Sequence, residues 1–255
     1  MPITLFYRDE IAILTIDRPE ALNALSFSLI GDIEARLDEA AASSARALLI
    51  TGAGPKAFCA GADIGELMHR DLDAQKRGAE FGQRVFAKLD TLPMPSVAII
   101  NGFAFGGGLE LALACTFRLA TANAKMGLPE IKLGLIPGYG GTQRLSRAIG
   151  EARAMEMILS GRTIKADEAQ LMGLVNRLVE GDPIEAGISF AREFTGHSLL
   201  AMRLARSAVQ RSMETTLAEG LKIEADLSTL AYQTADANEG MSAFLEKRKA
   251  TFTDR

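Results

Sequence analysis

Two short apolar runs on either side of a long charged segment constrain the fold of this chain more than any other feature. Residues 47–51 read ALLIT and residues 97–100 read VAII, with Gly52 closing the first run and Pro93 and Pro95 preceding the second. Such short runs predict buried strands. Residues 66–90 between them are charged and helical in pattern. Strand, helix and strand in this order predict parallel pairing with a right-handed crossover, so we expect an α/β fold.

Strand and helix patterns continue along the rest of the first two thirds of the chain. Residues 3–16 predict a β-hairpin around the polar turn at residues 8–10. Ser26 is expected to cap a helix whose apolar residues follow helical spacing. Further helices are predicted over residues 109–115 and over most of 140–159, and strands over 117–121 and 174–179.

The pattern becomes entirely helical towards the C-terminus. Residues 184–249 predict helices. We therefore divide the chain into an α/β core of ββα type, residues 1–183, and a helical C-terminal region, residues 184–255. A helical region of this length could pack on its own core or cover a neighbouring subunit.

Scarce residue types exclude several classes of function. The chain has two histidines, two cysteines (Cys59 and Cys115) and a net charge of −4. Zinc sites usually need three or four His or Cys ligands, and binding to nucleic acid needs a basic surface, so neither is expected. We also expect no membrane segment and no targeting peptide. Two cysteines 56 positions apart predict reduced, buried thiols in a reducing compartment, most simply the cytoplasm.

One carboxylate stands out in a glycine-rich stretch. Ten of the 24 glycines lie in residues 102–150, and Glu110 is the one charged side chain between Thr91 and Phe117. A buried carboxylate requires a partner, a helix dipole, water or a catalytic task. The alternative is a helix-start glutamate near the surface. Gly107, three residues earlier, would place a backbone N–H on the same face of the helix, which combines an oxyanion donor with an acid–base group.

Glu130 is a second candidate for an acid–base carboxylate, and here too the alternative is a solvated glutamate at the start of a helix. Pro129 before it predicts the start of a short helix, where a solvated glutamate is also favourable. The motif at residues 52–57 fits a relaxed dinucleotide pattern, but Pro55 removes an N–H from the phosphate cradle and no helix follows. The glycines at 138–141 lack the lysine of a P-loop. We therefore expect no nucleotide site of either type.

Five segments together point to a known family. They are RPEALNAL at 18–25, AFCAGADI at 57–64, NGFAFGGGLELA at 101–112, PEIKLGLIPGYGGTQRL at 129–145 and GMSAFLEKRK at 240–249. The chain resembles the enoyl-CoA hydratase/isomerase (crotonase) family over essentially its whole length. The resemblance implies an α/β fold: a crotonase-like spiral of ββα units with an all-helical C-terminal trimerisation region. It also implies a homo-oligomer, either a trimer or a dimer of trimers.

The resemblance implies the site residues as well. The thioester carbonyl of an acyl-CoA would lie between the N–H groups of Ala62 and Gly107, and Glu110 and Glu130 would handle the water. Residues expected to bind the CoA portion are Asn23, Ala24, Leu25, Ala60, Asp63 and Ile64, with Phe244 and Lys247 reaching the CoA of a neighbouring subunit. The resemblance implies no metal and no separate cofactor. Coenzyme A counts as part of the substrate.

The presence of both glutamates favours an enoyl-CoA hydratase, which adds water to a 2-trans-enoyl-CoA to give a 3-hydroxyacyl-CoA. One alternative is a Δ3,Δ2-enoyl-CoA isomerase, which in this family manages with a carboxylate at the Glu130 position alone, or another crotonase-type acyl-CoA reaction. A more remote alternative is a non-catalytic protein that binds CoA thioesters or RNA. Thr116 departs from the family, where an Asp is common, and we expect this to affect local packing. The acyl pocket is expected to involve residues 66–90.

Overall fold

The computed structural model describes residues 2–255, and their contacts divide into two units. The first unit extends to Phe190, and the second is Ala191–Arg255. None of the helices within the described residues is both long enough and apolar enough to span a membrane.

The regular elements of residues 2–255 are ten strands and eleven α-helices, together with two short 3-10 helices, Pro19–Ala21 and Pro129–Leu133. The strands are β1 (Ile3–Arg8), β2 (Ile11–Ile16), β3 (Ala47–Gly52), β4 (Ala57–Cys59), β5 (Ser96–Ile100), β6 (Phe103–Phe105), β7 (Phe117–Thr121), β8 (Lys125–Gly127), β9 (Ile164–Lys165) and β10 (Arg177–Val179). The helices are α1 (Phe27–Ala41), α2 (Ile64–Leu67), α3 (Leu72–Thr91), α4 (Gly107–Ala114), α5 (Gly141–Ile149), α6 (Glu151–Ser160), α7 (Ala166–Leu171), α8 (Pro183–Ala191), α9 (Leu199–Arg211), α10 (Leu217–Tyr232) and α11 (Ala235–Glu246).

A six-stranded sheet forms the centre of the first unit, in the order β1-β2-β3-β5-β7-β10. The strands β1 and β2 pair antiparallel, which confirms the predicted hairpin, and the other pairs are parallel, which confirms the predicted parallel pairing. Every residue of β3 and β5 is buried. Each fully buried Leu or Ile stabilises a fold by about 1.5–3 kcal/mol, so these two strands anchor the core.

A second sheet, in the order β4-β6-β8-β9, was not predicted from the sequence. Its strands have only two or three residues, too few to show the alternation that identifies a strand. This sheet matters for the site, because β4 leads to the segment around Ala62 and β6 ends two residues before α4.

Several predicted elements have different ends in the structure. The helix expected over residues 66–90 is two helices, α2 and α3, separated at His69, whose φ of 59° is left-handed. The side chain of Asp71 accepts a hydrogen bond from the Ala74 N–H and so begins α3 anew. The helix expected over 140–159 is interrupted at Gly150, and the strand expected over 174–179 is reduced to β10. Ser26 caps α1 as predicted, accepting from the Leu29 N–H.

The second unit contains α9, α10 and α11, as the helical pattern predicted. Ser198, Thr216 and Thr234 cap the starts of these helices through their side chains. The buried carboxylate of Asp236 accepts hydrogen bonds from the N–H groups of Thr253 and Asp254, which fastens the C-terminal residues to α11.

Candidate active site

Glu110 lies in the first turn of α4 and is 2% exposed. Its Oε1 accepts two hydrogen bonds of 2.7 Å, from the N–H groups of Tyr139 and Gly141. Burial raises the pKa of the carboxyl to about 7, the negative charge of Glu130 adds to this shift, and the two N–H donors oppose it. The alternative of a solvated glutamate at the surface is therefore wrong. A carboxyl that titrates near neutral pH is suited to proton transfer.

Glu130 occupies the start of the 3-10 helix Pro129–Leu133, as the proline before it predicted. The side chain is partly buried, and burial raises its pKa. Its Oε2 atom is buried and has no hydrogen-bond partner among residues 2–255. A buried oxygen that no protein group satisfies is suited to a proton or a water that arrives with the substrate. Glu130 is therefore not the freely solvated glutamate of the alternative interpretation.

The glycine segment before α4 lies directly against Glu130. Gly106 has φ 49° and ψ −125°, a conformation that side chains disfavour, and a Cβ atom there would lie 3.0 Å from Glu130 Oε1. Gly107 follows as the first residue of α4, where N–H groups have no acceptor within the helix. A Cβ atom on Gly108 would lie 2.0 Å from the carbonyl oxygen of Cys59, so the start of α4 lies in contact with the end of β4.

Ala62 follows β4 by three residues and forms a parallel bridge with Leu25. In that bridge the Leu25 N–H donates to the Gly61 carbonyl and the Asp63 N–H donates to the Leu25 carbonyl, both at 2.8 Å. The backbone hydrogen bonds within residues 2–255 leave the N–H of Ala62 unused. The predicted oxyanion donors, Ala62 and Gly107, thus lie on two segments that the β4 to α4 contact brings together.

The residues predicted to bind CoA in the first unit form two adjacent segments, 23–25 and 60–64. The Ala60 N–H donates to the Leu22 carbonyl, and the Leu25 to Ala62 bridge continues the pairing. Asn23 is fully buried, and its amide nitrogen donates to the carbonyls of Ala53 and Ala57. Its side chain therefore holds the segment in shape, so a contact with CoA would have to come from its backbone.

The other predicted CoA contacts differ in exposure. Asp63 caps α2, and its Oδ2 lies 3.8 Å from Nη2 of Arg18. Ile64 and Ala24 are at least partly exposed. Phe244 and Lys247 belong to the second unit, where Phe244 is 83% exposed and Lys247 is the left-handed residue that ends α11. The roles of all these residues in binding CoA remain predictions.

Sequence reasoning missed Tyr139. Its N–H binds Glu110, the residue is 7% exposed, and its ring lies 3.3 Å from where a Cβ atom on Gly107 would be. A large aromatic residue between glycines at 138 and 140 is the signal that could have identified it. Thr116 forms two reciprocal hydrogen bonds with Ser96. The Thr116 N–H donates to Ser96 Oγ at 3.0 Å, and Thr116 Oγ1 accepts from the Ser96 N–H at 3.2 Å.

The described residues place neither a reactive thiol nor a cluster of metal ligands at this site. Cys59 and Cys115 are free and buried, as predicted, and burial raises the pKa of each thiol to about 12. Thiols with such pKa values stay protonated and are poor nucleophiles. Across residues 2–255, no group of three or more His, Cys, Asp or Glu side chains is placed to hold a metal ion.

Two carboxylates with raised pKa values beside free backbone N–H groups are typical of acid–base enzymes that stabilise an oxyanion. A family model described as enoyl-CoA hydratase/isomerase matches residues 7–255. The chain belongs to this family, which also confirms the fold class that its motifs implied.

Relatives cover almost the entire chain. A crotonyl-CoA hydratase of Syntrophomonas wolfei is 41% identical over 99% of this chain and 98% of its own length. A short-chain-enoyl-CoA hydratase of Clostridium acetobutylicum is 38% identical over 94% of this chain and 93% of its own. The crystal structure of an enoyl-CoA hydratase from Bacillus anthracis matches with a TM-score of 0.95 at 36% identity, covering 100% of both chains.

Proposed function

We propose that this protein is an enoyl-CoA hydratase that adds water to a 2-trans-enoyl-CoA and forms a 3-hydroxyacyl-CoA. The observation that carries the proposal is the pair of carboxylates. Glu110 is buried, Glu130 is partly buried, both have raised pKa values, and the charge of Glu130 adds to the shift of Glu110. The hydratase relatives named above support the same reaction.

In the proposed mechanism Glu110 takes a proton from water while the water oxygen forms a bond to C3 of the substrate. The C2=C3 electron pair moves towards the thioester, and the resulting enolate oxygen accepts hydrogen bonds from the N–H groups of Ala62 and Gly107. The two carboxyls share one proton, and the form in which Glu130 carries it delivers that proton to C2. Each oxyanion donor of this kind lowers the barrier by about 3–4 kcal/mol.

Catalytic turnover requires that the two carboxyls recover their starting protonation states. After addition Glu110 holds the proton from water and Glu130 is ionised, so that proton must pass from Glu110 to Glu130. The reaction moves protons and one water molecule, and it uses no metal or redox cofactor. Coenzyme A enters and leaves as part of the substrate, and its binding energy positions the thioester.

The CoA portion is proposed to lie along residues 23–25 and 60–64. The proposed assembly is a homotrimer or a dimer of trimers, in which Phe244 and Lys247 reach the CoA of a neighbouring subunit. The second unit exposes large apolar side chains, including Leu217 at 80% and Leu245 at 79%. Extended exposed apolar surface is typical of an interface between subunits. The two buried free thiols support a reducing location, for which we propose the cytoplasm.

The direct test mixes the protein with crotonyl-CoA and follows the loss of absorbance of the conjugated thioester. We expect rapid hydration, with 3-hydroxybutyryl-CoA as the product. Consumption of a 3-enoyl-CoA far faster than a 2-enoyl-CoA would instead support the isomerase. Binding of CoA thioesters without turnover at any acyl chain length would contradict the enzyme function altogether.

A further inference from the structure

The ring of Tyr139 is held tightly between two helices. On one side, a Cβ atom built on Gly82 of α3 would lie 2.3 Å from Tyr139 Cδ1. On the other side, a Cβ atom built on Gly107 of α4 would lie 3.3 Å from Tyr139 Cδ2. Phe86 packs edge-to-face on the ring, with centroids 5.7 Å apart. An aromatic ring fits between α3 and α4 because residues 82 and 107 are both glycines.

The position of the ring relative to the reacting groups is also defined. The N–H of Tyr139 binds Glu110, so the residue is joined directly to one proposed catalytic carboxylate. Leu25 Cδ1 lies 3.3 Å from the same Cβ position on Gly107 that the ring approaches. Tyr139 and Leu25 thus flank the glycine whose N–H is proposed to hold the thioester oxygen. An oxygen bonded at about 2.9 Å to that nitrogen would bring the first acyl carbons beside the ring.

We propose that the Tyr139 ring closes the acyl end of the site and restricts this enzyme to short 2-enoyl-CoA substrates. This inference rests on the proposed function, because that function places the thioester at Gly107. The acyl chain beyond C3 has to lead away from CoA, and the space between Gly107 and α3 is filled by Tyr139 and Phe86. A longer chain therefore has to displace a ring that Gly82 and Gly107 contact at opposite edges.

The phenol supports a steric role rather than a role in proton transfer. Burial raises the pKa of the Tyr139 hydroxyl to about 12, with the charge of Glu110 adding to the shift. The hydroxyl therefore stays protonated at neutral pH and cannot serve as a base. What the side chain contributes to the site is its volume.

The test compares binding of butyryl-CoA and octanoyl-CoA by calorimetry, because saturated thioesters bind without reacting. The full-length wild-type protein is expected to bind butyryl-CoA at least about tenfold more tightly, since a single methylene group in a fitted pocket is worth about 10- to 200-fold. Tyr139→Ala is expected to bring the ratio of the two dissociation constants to about one or to reverse it. Tyr139→Phe, which keeps the ring, is the matched control and is expected to retain the wild-type ratio.

Kinetics separate this inference from the function on which it rests. The ratio of kcat/KM for crotonyl-CoA and 2-octenoyl-CoA is expected to follow the binding ratio in all three proteins. Equal wild-type binding of the two thioesters, or an unchanged ratio in Tyr139→Ala, would overturn the inference even if hydration is fast. Absence of hydration with the expected binding ratios would overturn the function alone. Should Tyr139→Ala fail to fold, Tyr139→Leu tests the same point with a smaller loss of volume.

Discussion

The buried carboxyl of Glu110 predicts that one substitution removes activity and stabilises the fold. Glu110→Gln keeps the shape of the side chain and an oxygen that can accept the N–H groups of Tyr139 and Gly141. It removes the acid–base function, so kcat is expected to fall by about 10²- to 10⁴-fold. It also removes a charge that burial disfavours.

The size of the stabilisation follows from the pKa of Glu110. The folded protein raises this pKa from 4.5 to about 7, so the folded state binds the proton more tightly than the unfolded chain. Ionisation therefore destabilises the fold. The destabilisation is absent below pH 4.5, grows between the two pKa values and is complete above about pH 7. At about 1.4 kcal/mol per pKa unit it amounts to roughly 3 kcal/mol.

Urea denaturation of both proteins at pH 5 and pH 8, at one protein concentration, measures this effect. The gain in free energy of unfolding caused by Glu110→Gln is expected to be larger at pH 8 than at pH 5 by roughly 2–3 kcal/mol. Glu151→Gln, at an exposed position, serves as the control and is expected to show no such dependence. An equal effect of Glu110→Gln at both pH values would refute the reasoning that Glu110 is destabilised by its charge.

Three further predictions concern the same site. Glu130→Gln is expected to lower kcat by about 10²- to 10⁴-fold while the dissociation constant for CoA changes little; near-normal hydration would contradict its role as proton donor. Gly106→Ala is expected to destabilise the fold by about 1–3 kcal/mol and to displace Glu130, with loss of activity. Gly196→Ala, at an exposed position outside the left-handed region where nothing lies within 4 Å, should leave kcat unaffected; equal kcat values for the two variants would argue against a role for Gly106. Cys59 and Cys115 are expected to resist a thiol reagent until the protein unfolds, and rapid labelling of the native protein would contradict their burial.

Elements with strong local patterns were predictable from the sequence. The hairpin β1 and β2 and the strands β3 and β5 follow from apolar runs of ordinary strand length, and the capped start of α1 follows from Ser26. The strands of the second sheet were not predictable, because two or three residues carry no periodic signal. Their pairing also joins residues far apart in the sequence. In the pair of β4 and β6, for example, Ala57 lies opposite Phe103.

The sequence by itself determined the α/β class, the family through its five motifs, and the identity of Glu110 and Glu130 as candidate acid–base groups. A lone carboxylate among apolar and glycine residues is a local signal, so it can be read without a structure. Only the tertiary structure decided that Glu110 is buried, that Tyr139 and Gly141 hold it, and that Tyr139 packs between α3 and α4. These properties depend on contacts between segments about 30 to 60 residues apart, and burial, which sets the pKa of a carboxyl, exists only once those segments pack together.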